Sequence, residues 1–170
     1  MSIARTGPVV PVDDGLLAWL GEAAATARSS GLSGLYPVIE SALAELVGFK
    51  LLTVLQVEQG RLIRRHSSDL QHYPAGGHKM IAGDAWLERL LEQGVPMITD
   101  GTEQVRERFF DHQAIFGIGC QSVLNVPVHA ASQSLGSINL LHEQGHFTGR
   151  HAQLVLPFVH LLGLAWLARA

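Results

Sequence analysis

The sequence predicts an α+β domain built on a central antiparallel sheet. Two observations carry this. Strand-like runs come in pairs joined by short polar or glycine turns, the pattern of hairpins and hence of antiparallel neighbours. Helical periodicity gathers at the two ends of the chain instead of alternating with strands, which separates α+β from α/β order. A length of 170 residues is close to the commonest size for one domain. Residues 1–12 carry Gly7, Pro8 and Pro11 and read as an N-terminal arm, so the domain is expected over residues 13–170.

Asp13 or Asp14 can cap a first helix whose apolar face is Leu16, Leu17, Leu20, Ala23, Ala24 and Ala27. Ser29-Ser30-Gly31 ends it. A second helix is expected from about Tyr36 to Val47, with Pro37 in its first turn and Gly48 as C-cap. Residues 49–57 are strand-like, Glu58-Gln59-Gly60 is a turn, and residues 61–67 return. Residues 68–83 lack periodicity and read as a long loop, a kind of segment often functional in compact domains. Asp84 caps a short helix to Gln93, closed by Gly94. Residues 95–99 form a short strand. Asp100 and Glu103 have capping-box spacing for a helix with Val105, Phe109, His112 and Phe116 on one face. Residues 121–129 and 135–142 are two further strands around a turn at Ala131-Ser132-Gln133. Thr148 caps a last helix that runs to the C-terminus.

Composition narrows the function. Charged residues are 16% of the chain, below the roughly 25% typical of soluble domains, which suggests apolar surface buried against something, a second copy of the chain being one candidate. Net charge is −3, and the basic cluster Arg61, Arg64 and Arg65 is small, so no nucleic-acid partner is expected. A single cysteine, Cys120, cannot form an intrachain disulfide or a multi-cysteine zinc site. Neither a secretory signal nor a membrane-spanning run of about 20 apolar residues is read in the sequence, so the expected location is the cytoplasm.

One stretch resembles a known family. Ser122-Val-Leu-Asn-Val-Pro-Val128, a turn, Leu135-Gly-Ser-Ile-Asn-Leu-Leu141, and Phe147 opening a long helix resemble the C-terminal half of GAF domains. The leading helices and first hairpin stand in the matching order. Asp111-His112, Cys120, Ser122, Asn125 and Asn139-Leu-Leu-His-Glu143 are also similar to small bacterial proteins made of one GAF domain with no effector module attached. The resemblance implies a GAF-like (PAS/profilin-like) sheet, terminal helices on one side, loops and short helices over the other, and a small-molecule site between sheet and middle segment. Cyclic-nucleotide-binding members share an Asn-Lys … Phe … Asp-Glu constellation. Here Leu140 follows Asn139, and His151 and Ala152 stand where the acidic pair would be. Bilin-binding members attach pigment to a cysteine in contexts unlike that of Cys120, and members reducing free methionine sulfoxide need more than one cysteine.

The middle segment and adjoining strand offer candidate ligand-binding residues: Tyr73, His78, Lys79, Trp86, Asp111, His112, Cys120 and Asn125. Tyr73 and Trp86 could stack on a planar ligand, and His78 and Lys79 could meet an anion. Asp111 and His112 are adjacent on a helix and so do not face each other. Cys120 reads as a buried small hydrophobe.

His142-Glu-Gln-Gly-His146 matches the zinc-protease pattern H-E-x-x-H, which requires a helix to put both imidazoles on one face. It follows a strand-like run and contains Gly145, so a strand end and loop are expected there, with no metal or other cofactor. The leading expectation is a non-enzymatic sensory or regulatory domain whose ligand is unknown. The alternatives are a cysteine- or metal-dependent enzyme, redox or hydrolytic, and a dimeric adaptor with an inert pocket. The last helix is apolar all round, including Leu162, Leu164 and Trp166, and Pro157 should kink it. A homodimer through the terminal helices is therefore expected.

Overall fold

The computed structural model describes residues 14–169; the N-terminal arm and Asp13 lie outside them. Helix α1 (Asp14–Leu46) is two helices merged at Gly31, whose φ of 62° and ψ of −151° break the ladder where Ser29-Ser30-Gly31 was expected to. The helix resumes directly afterwards, about four residues before the expected start, so Pro37 sits beyond its first turn. Burial explains the earlier start: Leu35, Ile39, Ala42 and Leu43 form one face with no exposed surface.

Strands β1 (Leu51–Glu58) and β2 (Arg61–Ser67) form the first hairpin, turning through Gln59 and Gly60, both at positive φ. Their register slips between Val54 and Leu55, where Val54 faces His66 but Leu55 faces Arg64. This bulge passes over Arg65 and turns Arg64 to the same side as Leu55. Residues 78–80, expected within a loop, form strand β3 (His78–Met80), which pairs Lys79 with Leu62. Three residues are too few to show a period of two in sequence.

Helix α2 (Ala85–Gln93) begins and ends as expected: Asp84 accepts the Leu87 N–H at 3.0 Å and Gly94 takes the left-handed cap. Strand β4 (Met97–Asp100) follows. The single helix expected next is two, α3 (Thr102–Arg108) and α4 (His112–Gly117), with Phe109 extended between them. Asp100 does not cap α3; its carboxylate accepts the Gly145 N–H at 2.8 Å and ties two loops together. Strands β5 (Ser122–Ala130) and β6 (Gln133–His142) turn through Ala131 and Ser132 at positive φ. Helix α5 (Gly149–Leu167) continues through Pro157, and the His151 ring accepts the Thr148 N–H at its start.

The sheet order is β3-β2-β1-β6-β5-β4, antiparallel throughout. Alternation sends Leu52, Val54, Leu124, Val126, Ile138 and Leu140 to one face, where α1 and α5 cover them with Ile39, Leu43, Phe158 and Leu162. The same alternation sends Leu51, Thr53, Leu55, Val123, Asn125, Asn139 and Leu141 to the other face, under the middle segment. Trp166, expected to help meet a partner, is buried and donates its indole N–H to the Tyr36 hydroxyl at 3.0 Å; Leu162 is buried as well.

Candidate functional site

A cleft opens on the second face, between the sheet, β3 and the α3–α4 junction. Its floor is a polar stripe. Thr53, Asn139 and Asn125 stand directly opposite one another on β1, β6 and β5. The Asn125 amide donates to Asn139 Oδ1 at 2.7 Å, and the Asn139 amide donates to Thr53 Oγ1 at 3.2 Å. All three are buried. Apolar side chains flank the stripe, Leu51, Val123 and Leu141 on one side and Leu55 on the other.

The walls carry charge. Arg64 lies over the Tyr73 ring, its guanidinium carbon 5.1 Å from the ring centre, and its Nη1 donates to the Pro74 carbonyl at 2.9 Å. Burial pulls the Arg64 pKa below its usual value, yet a guanidinium stays charged at neutral pH. Burial, then the nearby Asp111 carboxylate, pushes the Tyr73 phenol up to about 12, so its hydroxyl keeps its proton. Lys79 Nζ stands 3.8 Å from Asp111 Oδ1, an ion pair too long for a hydrogen bond, spanning from β3 to the α3–α4 junction. The cavity volume is about 40 Å³.

Of the residues singled out from sequence, Tyr73, Lys79, Asp111 and Asn125 line this cleft. The others lie outside its lining. His78 is exposed on the edge strand. Trp86 packs edge to face on Phe109, with ring centres 5.3 Å apart. His112 bonds the Phe109 carbonyl through Nδ1 at 3.0 Å. Cys120 sits in the core with Ile115 and Val105, and burial raises its thiol to about 11. Sequence reasoning missed Arg64, Thr53 and Asn139. Arg64 was visible as part of a basic cluster, but the bulge that selects it over Arg65 leaves no signal in the sequence.

His142 ends β6 and His146 lies in the following loop, so H-E-x-x-H is not helical here. The two rings stack, with centres 3.7 Å apart and planes 11° apart, and His151 stacks beyond His146 at 5.3 Å. Stacked imidazoles present faces to each other, whereas zinc needs ring nitrogens converging on one point. The nitrogens are also engaged. His142 Nδ1 accepts the Glu143 N–H, and His146 Nε2 meets the Val47 carbonyl. Glu143 pairs with Lys50 at 2.7 Å. Among the described residues no group of three or more histidine, cysteine or acidic side chains is arranged to hold a metal ion.

No protein-family model matches the chain, and no curated protein does. Solved structures match well. The GAF domain of an Acinetobacter phosphoenolpyruvate-protein phosphotransferase superposes with a TM-score of 0.72 at 13% identity, over 92% of this chain and 96% of that one. This chain has the GAF-domain fold. Further structures with this fold include the phycocyanobilin-bound GAF domain of a cyanobacterial phytochrome, with a TM-score of 0.67 at 17% identity over 92% and 95% of the two chains. The GAF domain of a two-component sensor histidine kinase from Bacillus halodurans matches at 0.67 and 14% identity, over 79% and 92%. No helix among the described residues is long and apolar enough to cross a membrane.

Proposed function

We propose that this chain is a small-molecule-binding sensory or regulatory domain of the cytoplasm, with the cleft over the Thr53–Asn139–Asn125 stripe as its ligand site. One observation carries the reading. Arg64, Tyr73, Asp111 and Asn125 line one cavity, and each carries a buried polar atom that meets no hydrogen-bond partner among the described residues. Such groups each cost about 1–3 kcal/mol unless something satisfies them. The sensor-kinase and phytochrome domains that share the fold support a sensing role. Terminal helices packed on the opposite face of the same sheet provide a route from cleft to partner, and a second copy of this chain is the partner proposed.

An enzyme built on Cys120 has no support in the geometry, because the thiol lies outside the cleft and burial favours its protonated form. A thermal-shift screen of organic acids, amino acids, nucleotides and tetrapyrroles tests the reading. At least one compound should raise Tm in a concentration-dependent way, as binding to the folded state requires. A flat response across the screen would favour an inert adaptor.

A further inference from the structure

Four residues that line the cleft carry buried polar atoms with no hydrogen-bond partner among the described residues, and these atoms are of two kinds. Arg64 Nε can only donate, and the hydroxyl of Tyr73, a residue 7% exposed, can donate. Asp111 Oδ1 and Asn125 Oδ1 accept, and Asn125 is 5% exposed with its amide nitrogen already committed to Asn139. Arg64 is held in place on two sides, by the Pro74 carbonyl and the Tyr73 ring, with the Nε edge left over. Arg64 and Lys79 together outweigh Asp111 by one positive charge. The complement of such a site is an anionic group beside a hydrogen-bond donor. The cleft, about 40 Å³ in volume and partly open to solvent, favours a small occupant. Leu51, Leu55 and Ile115 supply apolar wall for a short carbon chain.

We propose that the cleft binds a short-chain carboxylate carrying an N–H or O–H donor on the carbon next to the carboxylate, a small α-amino or α-hydroxy acid. The carboxylate meets Arg64 Nε and the Tyr73 hydroxyl, where a guanidinium is the strongest available partner. The neighbouring donor meets Asp111 Oδ1 and Asn125 Oδ1. A carboxylate without that donor leaves Asn125 Oδ1 unpaired and Asp111 Oδ1 with only the ion pair to Lys79, and this sets the specificity. The inference rests on reading the cleft as the ligand site.

The test is titration of ¹⁵N-labelled protein with L-alanine, L-lactate and propionate, followed by amide chemical shifts. Alanine or lactate should shift the signals of Lys79, Asp111 and Asn125 and bind at least tenfold more tightly than propionate. If alanine is the better ligand the donor is an ammonium paired with Asp111; if lactate, a hydroxyl. Arg64→Gln should weaken binding at least tenfold. Should that variant fail to give a dispersed spectrum, Tyr73→Phe removes only the hydroxyl and should weaken binding several-fold. Equal binding of propionate, or an Arg64 variant that binds as well as the parent, overturns the proposal. So does a cleft that ignores all three acids but responds to a nucleotide or tetrapyrrole, in which case the cleft remains a ligand site of other specificity. If none of these compounds moves a cleft signal, solvent fills the cavity and the site reading falls with the proposal.

Discussion

Asn139 donates to Thr53 and accepts from Asn125, so a single amide bridges three strands under the cleft. In a buried chain of this kind each member satisfies its neighbour, and removing the middle leaves both ends unpaired. Asn139→Leu, close in volume but apolar, should therefore destabilise the fold by roughly 2 kcal/mol. Urea denaturation should show a lower midpoint with an unchanged slope. Asn125→Leu, at the end of the chain, should cost less, because it also removes an oxygen with no partner.

Gly136 faces Gln56 across the β1–β6 pair at a φ of 153°. A Cβ placed there would lie 2.0 Å from the Leu55 carbonyl oxygen and 3.0 Å from Gln56 Cα. Backbone in the middle of the sheet cannot move aside without breaking the ladder. Gly136→Ala should thus destabilise by about 3 kcal/mol, far more than an added methyl usually does. A comparable Tm for the variant would refute this.

The sheet was legible in sequence where both faces reward alternation. Residues 122–128 are buried without interruption, because helices cover one side and the middle segment the other, and the run still showed as a strand from its β-branched content. The middle segment was less legible. Phe109 kept the helical spacing of Val105 and His112, yet it is extended, because its ring lines the cleft and meets Trp86. Tertiary packing there overrides a local period, and α3 and α4 are each too short to hold their own register. The candidate site was half legible for the same reason. Asn125 and Tyr73 announce themselves as polar groups in buried surroundings, but the choice between Arg64 and Arg65 depends on one bulge. Arg65 instead pairs with Glu58 and Gln56 on the exposed side.

Burial and the neighbouring His146 hold His142 and His151 below the usual histidine pKa. A base with a depressed pKa in the folded state binds protons more readily when unfolded, so stability falls as pH drops from the ordinary histidine value of 6.5 downward. The stabilising contribution is full above that value. Glu143, beside Lys50, and Asp69, hydrogen-bonded by His72, have depressed carboxyl pKa values and act in the same direction at lower pH. Tm should drop between pH 7 and pH 5. In His142→Asn, which keeps an acceptor near the Glu143 N–H, the drop should be shallower. An equally steep profile would remove the histidine stack as its cause.

Cys120 should be inert in the native protein. Its thiol is fully buried, its pKa is raised to about 11 by burial, and alkylation requires the thiolate. Iodoacetamide at pH 8 should modify it slowly under native conditions and rapidly in denaturant, as read by intact mass. Fast native labelling would show that the segment from Ile118 to the start of β5 opens on the timescale of the reaction.

The terminal helices should pair two copies of the chain. Helix α5 buries one side on the sheet and another on α1, but Leu164 keeps 63% of its surface exposed and Leu17 on α1 keeps 54%. Between the helices lies an apolar groove of about 310 Å³ lined by Ala27, Leu32, Leu161, Leu164 and Ala165. An apolar patch rimmed by polar residues marks an interaction site, and self-pairing by two-fold symmetry is the simplest way to cover it. Light scattering at micromolar concentration should give twice the 18.4 kDa chain mass. Leu164→Glu places a charge in the groove and should halve that mass while the circular dichroism spectrum stays native. Trp166→Glu is the contrasting control: Trp166 is buried against Tyr36, so the substitution should unfold the helical face and lose the spectrum as well. A mass of one chain for the parent protein would refute the dimer. A dimer untouched by Leu164→Glu would move its interface elsewhere on the surface.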